Sequence, residues 1–346
     1  MGITGLNPFL LKSFGNIWTT KLIVSIGKSI SIDTNNWIYS PASKALKFMV
    51  ADMDVVNNDI DRNLFIKYLK QSVIDFAKMW IEYGITPIFV FDGRSPQEKS
   101  ETKEKRSARP AKLREDIQKL RDELRGQDRI LVSGYKIAEL KKLIVQDIYV
   151  TYDEMMMIRE MILDLGIPAV HCTGEGEKLC SALALTGMAD AVFSTDTDNL
   201  VYGTPLLVHS QESFDKDERG VHMPTFKTIT TNDVIKALEL SQKEFVDFCI
   251  MCGCDYNKNI PKVGIKRAYD LIKVHRSIEN LPSKYDTTCL KHVKCRELFT
   301  IGNYQDLIAS GRLEKSRNAY EDKGRAMLKD MKLHAEISIF NKFHMN

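Results

Sequence analysis

The sequence predicts an α/β fold with a mainly parallel central sheet flanked by helices. Short apolar, β-branched runs alternate with amphipathic helical stretches, the signature of βαβ units. The apolar runs are continuous rather than alternating, as in strands buried on both faces. Several of them end in Asp, as at the carboxyl edge where such sheets bind ligands. A chain of 346 residues with 44% hydrophobic and 27% charged residues has ample material for a core, in one large domain or two smaller ones.

Lys21 to Asp33, LIVSIG followed by KSISID, reads as a short hairpin ending at Asp33. Leu64, Tyr68, Leu69, Val73, Phe76, Trp80 and Ile81 recur at helical spacing over 63–83, with Gly84 as a C-cap. Pro87 to Phe91 is a buried strand closed by Asp92 and Gly93. The segment from Arg94 to Arg129 is densely charged, and Pro110 should interrupt any single helix through it. On composition it reads as a solvated helical face. Residues 152–165 form an amphipathic helix whose Met155–Met157 run fills core. Ile167 to Val170 is a strand, followed by a loop over 173–177 and a helix to Leu185. Ala189 to Ser194 is another strand, leading into Thr195-Asp196-Thr197-Asp198. Leu206 to Val208 continues the sheet, the polar stretch 210–222 reads as a turn, and helices follow over 232–252 and beyond.

No apolar run is long enough to span a membrane, and no secretory signal peptide is recognisable. Leu6 stands where a myristoylation signal wants Ser or Thr. An intracellular protein with reduced thiols is expected, since seven cysteines is an odd count. Cys249, Cys252, Cys254, Cys289, His292 and Cys295 are zinc-ligand types, but Cys249 and Cys252 fall on an apolar helix pattern and read as buried thiols. A net charge of +3 does not announce a nucleic-acid binder, and the placement of the basic residues is more telling than their sum.

Asp33, Asp92, Glu175, Glu177, Asp196, Asp198 and Asp255 each fall where a strand end or short loop would aim them at one pocket. Several carboxylates in one place repel one another unless they hold hard cations, and a set without His or Cys favours Mg²⁺ or Mn²⁺. In extended backbone, residues two apart point the same way. Glu175-x-Glu177 and Asp196-x-Asp198 could therefore each deliver both carboxylates, with Gly174 and Gly176 making the first backbone permissive. Two ions roughly 3.5–4 Å apart would clamp a scissile phosphate and activate a water. Singly, each acid is as well read as a turn former or N-cap. An aspartyl-phosphate motif would want Thr or Val where Leu200 stands.

The ordered motifs MGITGL, SIDTNNWIY, PIFVFDGRSPQEKSETKEKR, GEGEKLCSAL, STDTDNLVYG and EFVDFCIMCGCDYNKNIPKVGIKRAYDLI run from residue 1 to about 275. Over that span the chain resembles flap endonucleases of the XPG-like structure-specific nuclease family. The resemblance implies the PIN-like 5′ nuclease fold and a two-metal site made of the seven acids. It implies Lys99 and Arg106 as the catalytic basic pair, steering the scissile phosphate and neutralising charge in the transition state. It also implies Tyr39 as a stacking residue beside the cut, where the plain alternative is packing next to Trp37 and Ile38.

By the same resemblance, residues 1–93 and 151–254 are two parts of one nuclease core within a single domain. Residues 94–150 are a helical arch for a single-stranded 5′ end, with Lys103, Lys105, Arg109, Lys112 and Arg114 toward the phosphates. Residues 255–275 are a helix-hairpin-helix element and 276–346 are C-terminal helices. The hairpin would present backbone N–H groups to duplex phosphates, with Lys262, Gly264, Lys266 and Arg267 at the contact, and K⁺ would bridge it to DNA. Gly2 joins the expected DNA contacts. The segment between Arg106 and Glu175 is longer than in cellular relatives. Ile337 to Phe343 shows no clamp-binding box, so the resemblance does not carry sliding-clamp recruitment over. Short relatives without a basic tail occur in large DNA viruses.

The implied activity is Mg²⁺-dependent cleavage of 5′ flaps at their junction with duplex DNA, in replication, repair or recombination, leaving a 5′-phosphate and a 3′-hydroxyl. The implied enzyme is a monomer acting on branched or flapped DNA, in a nucleus or at a viral replication site. A 5′→3′ exonuclease or a four-way-junction resolvase of the same family is the alternative. A catalytically dead junction-binding scaffold is the third, and the concentration of negative charge argues against it.

Overall fold

The computed structural model of the chain describes residues 2–15, 17–94, 100–125 and 134–308, with 100–109 described by their backbone. Seven strands form one sheet: β1 (Thr19–Leu22), β2 (Ser29–Asp33), β3 (Thr86–Phe91), β4 (Ala169–His171), β5 (Ala191–Phe193), β6 (Leu207–Lys216) and β7 (His222–Ile229). Their order is β1-β7-β6-β5-β2-β3-β4. The five strands from β6 to β4 are parallel, and β7 runs antiparallel to β6 and β1.

The continuous apolar run of β3 is explained by its two faces. Ile88 and Val90 belong to one core, which also holds α1 (Leu6–Phe14), α8 (Gly176–Leu185), α10 (Thr231–Leu238), α11 (Gln242–Cys252), α12 (Ile265–His275) and α13 (His292–Phe299). Phe89 and Phe91 belong to the opposite core, with α2 (Thr34–Trp37), α3 (Tyr39–Ala51), α4 (Arg62–Glu82) and α7 (Tyr152–Asp164). Trp80 of α4 is fully buried and stacks on Phe226 of β7 at 4.8 Å. Burying such a ring from water contributes about 2–3 kcal/mol. The α4 helix opens on Asp61, whose carboxylate accepts from Asn63 N and Leu64 N, and α7 opens on a Thr151–Glu154 capping box.

A third, smaller core joins α5 (Ser100–Arg125) and α6 (Gly134–Gln146) to the end of α3 through Val50, Val55, Ile117, Leu124, Leu140 and Ile144. Arg121 fastens the same contact. Its guanidinium donates to the carbonyls of Val55 at 3.0 Å and Asn58 at 3.1 Å and pairs with Asp59 at 2.6 Å.

Several expectations are corrected. Residues 21–33 are not a hairpin: β1 pairs with β7, while β2 enters the middle of the sheet between β3 and β5. Pro110 does not interrupt its helix, since α5 runs through it. One missing N–H costs about 3 kcal/mol, and the Ala, Lys, Arg, Glu, Gln and Leu on either side are strong helix formers. The stretch 210–222 is mostly strand, with β6 running to Lys216 and β7 starting at His222. Its outer β6 residues are exposed, so their polarity reflects solvent on both faces. Of the three methionines, Met155 is buried and Met157 is 52% exposed.

Candidate metal centre

The parallel strands β5, β2 and β3 lie side by side, so the chain that leaves them carries acids to one edge. Asp33 ends β2 and caps α2, its Oδ1 accepting from Asn36 N at 3.3 Å and its Oδ2 from Ser194 Oγ at 2.8 Å. Asp92 follows β3. Its Oδ1 accepts from Gly176 N at 2.7 Å, and its own N–H donates to Asn35 Oδ1 at 3.0 Å. These bonds tie the ends of β2 and β3 to the start of α8. A Cβ at Gly176 would lie 2.7 Å from Asp92 Oδ1, so the close approach needs glycine.

The Glu-x-Glu and Asp-x-Asp pairs reach the site by a different route from the extended backbone expected of them. Glu175 is the N-cap of α8 and Glu177 lies in that helix's first turn. Thr197 has helical backbone and Asp198 begins the short helix α9 (Asp198–Val201). Asp196 Oδ1 accepts from Asp198 N at 3.1 Å, and Asp196 N donates to Ser194 Oγ at 3.1 Å. This turn brings Asp196 and Asp198 together, where a strand had been expected to do so.

Glu177, Asp196 and Asp198 are all buried, and one carboxylate oxygen of each lies within 4.8 Å of the others. Asp33, Asp92, Glu175 and Asp255 are not part of this group. Burial first, then the charge of Asp92, pushes the Asp33 carboxyl up to about 7, with Asp196 adding to the effect. Glu175 Oε2 accepts a hydrogen bond from the Tyr256 hydroxyl. Asp255 is half-buried in the loop after α11. The N-terminal segment runs between that loop and the acids: Thr4 N donates to Gly253 O at 3.0 Å, and a Cβ built on Gly2 would fall 2.2 Å from Asp196 Oδ1. Gly2 therefore abuts the carboxylates.

The donor set fits a hard divalent cation. All three clustered groups are carboxylates, they are buried, and their oxygens sit close enough to share an ion. Burial above all, and then the neighbouring carboxylates, disfavour the ionised Asp33, a cost that such a cation would offset.

Tyr39, at the start of α3, is 45% exposed, whereas Trp37 and Ile38 are buried, so the packing alternative describes its neighbours better. Burial and then the Asp92 charge raise its pKa, so its hydroxyl lies within electrostatic reach of Asp92. Lys262, Lys266 and Arg267 are exposed around the start of α12, whose N-cap is Gly264. Arg267 also donates to Tyr285 Oη at 2.9 Å. Lys99 lies outside the described residues, as do the side chains of Lys103, Lys105, Arg106 and Arg109 on α5 and the whole of Ile337 to Phe343.

Sequence reasoning missed the residues that orient the acids: Asn35, Asn36, Ser194 and Tyr256. Asn36 Oδ1 accepts from Thr195 N at 3.2 Å and Thr195 Oγ1 at 2.6 Å, which pins the β5 end to the β2 end. The signal for Asn35, Asn36 and Ser194 was polarity at the exit of apolar runs, in SIDTNN and FSTDTD.

The XPG N-terminal domain matches residues 1–113 and the XPG I-region matches residues 166–255. Flap endonuclease 1 of Cryptosporidium muris is 31% identical over 313 residues, covering 88% of this chain and 63% of the relative. Flap endonuclease 1 of Enterocytozoon bieneusi is 34% identical over 231 residues, covering 64% of this chain and 58% of the relative. The chain thus spans about three fifths of the length of these curated relatives. Two solved structures share the fold. The catalytic core of Rad2 in complex with DNA substrate aligns with a TM-score of 0.57 at 17% identity, covering 93% of this chain and 95% of that one. Flap endonuclease-1 from Methanococcus jannaschii aligns with a TM-score of 0.52 at 22% identity, covering 91% and 96%.

Proposed function

This chain belongs to the XPG-like structure-specific nuclease family, and on that premise we propose that it cleaves 5′ flaps where single strand meets duplex DNA. The observation that carries the reading is the buried Glu177–Asp196–Asp198 group beside Asp33 and Asp92. Glu177, Asp196 and Asp198, with Asp33, Asp92, Glu175 and Asp255, would hold two Mg²⁺ ions, and Mn²⁺ could substitute. When bound, the ions supply Lewis-acid stabilisation of a phosphodiester undergoing hydrolysis.

The residues of the chain do the rest. Ser194, Asn35 and Asn36 hold Asp33, Asp92 and the β5 exit in register, so the acids are oriented before substrate arrives. Tyr39, its hydroxyl within electrostatic reach of Asp92, offers an exposed ring on which a base at the cut stacks. Lys262, Lys266 and Arg267 ring the start of α12 and bind duplex phosphates without reading sequence, with K⁺ as a bridge at Gly264. Lys99 and Arg106 take the scissile phosphate, Lys103 and Arg109 the single strand, and Gly2 lies beside the reacting group. In this reading α5 and α6 are the arch inserted into a single nuclease domain. On the same reading the enzyme acts as a monomer on flapped DNA, in a nucleus or at a viral replication site.

The test is digestion of a 5′-labelled flap with Mg²⁺ and with EDTA, beside Asp196→Ala. A metal-dependent product cut within about a nucleotide of the junction, absent in the variant while DNA binding persists, is expected. Mononucleotide release would replace this reading with an exonuclease. Preference for a four-way junction would replace it with a resolvase, and binding without cutting would replace it with a scaffold.

A further inference from the structure

Tyr256 lies one residue beyond Asp255 and is 4% exposed, and its phenol donates to Glu175 Oε2. Glu175 is half-buried at the N-cap of α8, where its side chain makes no capping bond. A Glu side chain otherwise spreads over several rotamers. A buried donor aimed at Oε2 selects among them.

The ring that carries the donor is itself held. Phe299 of α13 meets Tyr256 edge-on, with centroids 5.6 Å apart and planes at 70°. The same Phe299 meets Tyr202, the residue that closes α9, at 5.6 Å and 60°. Since α9 begins with Asp198, one aromatic contact backs both the Glu175 side and the Asp198 side of the acids.

We propose that Tyr256 is a positioning residue for the metal centre: its hydroxyl fixes Glu175 in the orientation that reaches the cation, and Phe299 fixes the hydroxyl. The proposal rests on the metal-nuclease reading above. Partners of this kind, which touch a ligand rather than the ion, typically contribute about 10–100-fold to metal affinity.

Tyr256→Phe removes one oxygen and keeps the ring against Phe299. Mn²⁺ binding to the full chain without DNA is followed by loss of the free-ion EPR signal, with thermal midpoints measured in EDTA and flap cleavage titrated with Mn²⁺. The expected result is Mn²⁺ affinity lowered about 10–100-fold, an unchanged midpoint in EDTA, and cleavage that recovers at high Mn²⁺. Equal Mn²⁺ affinity in the two proteins would overturn this proposal alone. A lowered midpoint with cleavage that no Mn²⁺ concentration restores would make Tyr256 a structural residue and also overturn it. A wild-type chain that binds no Mn²⁺ would overturn the metal reading and this proposal together.

Discussion

Replacing Gly93 by Ala should damage both stability and turnover, and the size of each effect follows from one contact. Gly93 crosses the loop after β4 so closely that an added Cβ would stand 2.1 Å from the Cys172 carbonyl oxygen and 2.8 Å from the Thr173 carbonyl carbon. Both are backbone atoms, so no side chain can swing aside, and the segments must part by about 1 Å to reach an ordinary contact. Forcing such a group into packed surroundings costs about 1–3 kcal/mol. The parting also stretches Gly93 N–Gly174 O at 2.8 Å and Arg94 N–Thr173 O at 3.3 Å, each contributing about 1 kcal/mol net. A total loss of about 3–5 kcal/mol is expected, the sum of those contributions. Asp92 immediately precedes Gly93 and Glu175 follows Gly174, so the same 1 Å separates two of the acids, and misplacement on that scale costs about 100-fold in rate. Single-turnover cleavage of a 5′ flap at saturating Mg²⁺, with urea unfolding of the same protein, measures both effects. Gly174→Ala is the internal control, because its Cβ would meet nothing within 4 Å. Gly93→Ala matching wild type within twofold in rate and in unfolding midpoint would refute the reasoning. So would equal damage from Gly174→Ala.

Two other expectations concern the ion pairs between α11, α13 and the loop after α12. Asp247 is 4% exposed and is held by Arg296 at 2.6 and 2.7 Å, with Ile278 N donating at 3.2 Å. Arg296→Met strands that carboxylate and should cost about 3 kcal/mol, the low end for breaking a buried pair because Arg296 is one-third exposed; an unchanged urea midpoint would contradict this. Glu279, on the other side of Arg296, is held down to about 2 by hydrogen bonds from that guanidinium. Its folded pKa is depressed, so its stabilisation is present above about 4.5 and fades as pH falls toward 2. Glu279→Gln should therefore flatten the acid limb of stability against pH in that window, and an identical limb in both proteins would count against the pairing.

What the sequence showed was local periodicity and ordered acids. Pro87 to Phe91 read as a doubly buried strand because both faces of β3 are apolar, and the α4 pattern placed that helix to within a residue. Long-range pairing left no such trace. Nothing within Lys21 to Asp33 tells that Thr19 will meet Thr228, 209 residues away, so nearness in sequence was mistaken for a hairpin. Of the seven acids read from the sequence, Glu177, Asp196 and Asp198 come together in one buried group, but on a backbone other than the extended one expected. Gly174 and Gly176, which permit an extended chain, equally permit the helix start found at Gly176, and nothing local in Thr195 to Asp198 distinguishes a strand from the helix start at Asp198. Pro110 misled because a rule about one missing hydrogen bond was weighed without the contacts of Ile117 and Leu124 that hold the rest of α5.

The sheet order also bears on when activity can arise as the chain is synthesised. Asp33 and Asp92 sit on neighbouring strands that can pair early, yet β5 must dock on the free edge of β2 before Asp196 and Asp198 join them. Asp255 emerges later still. Pairings so distant in sequence form slowly. A growing polypeptide therefore carries only scattered carboxylates at first, and Glu177, Asp196 and Asp198 come together only after β5 has docked on β2.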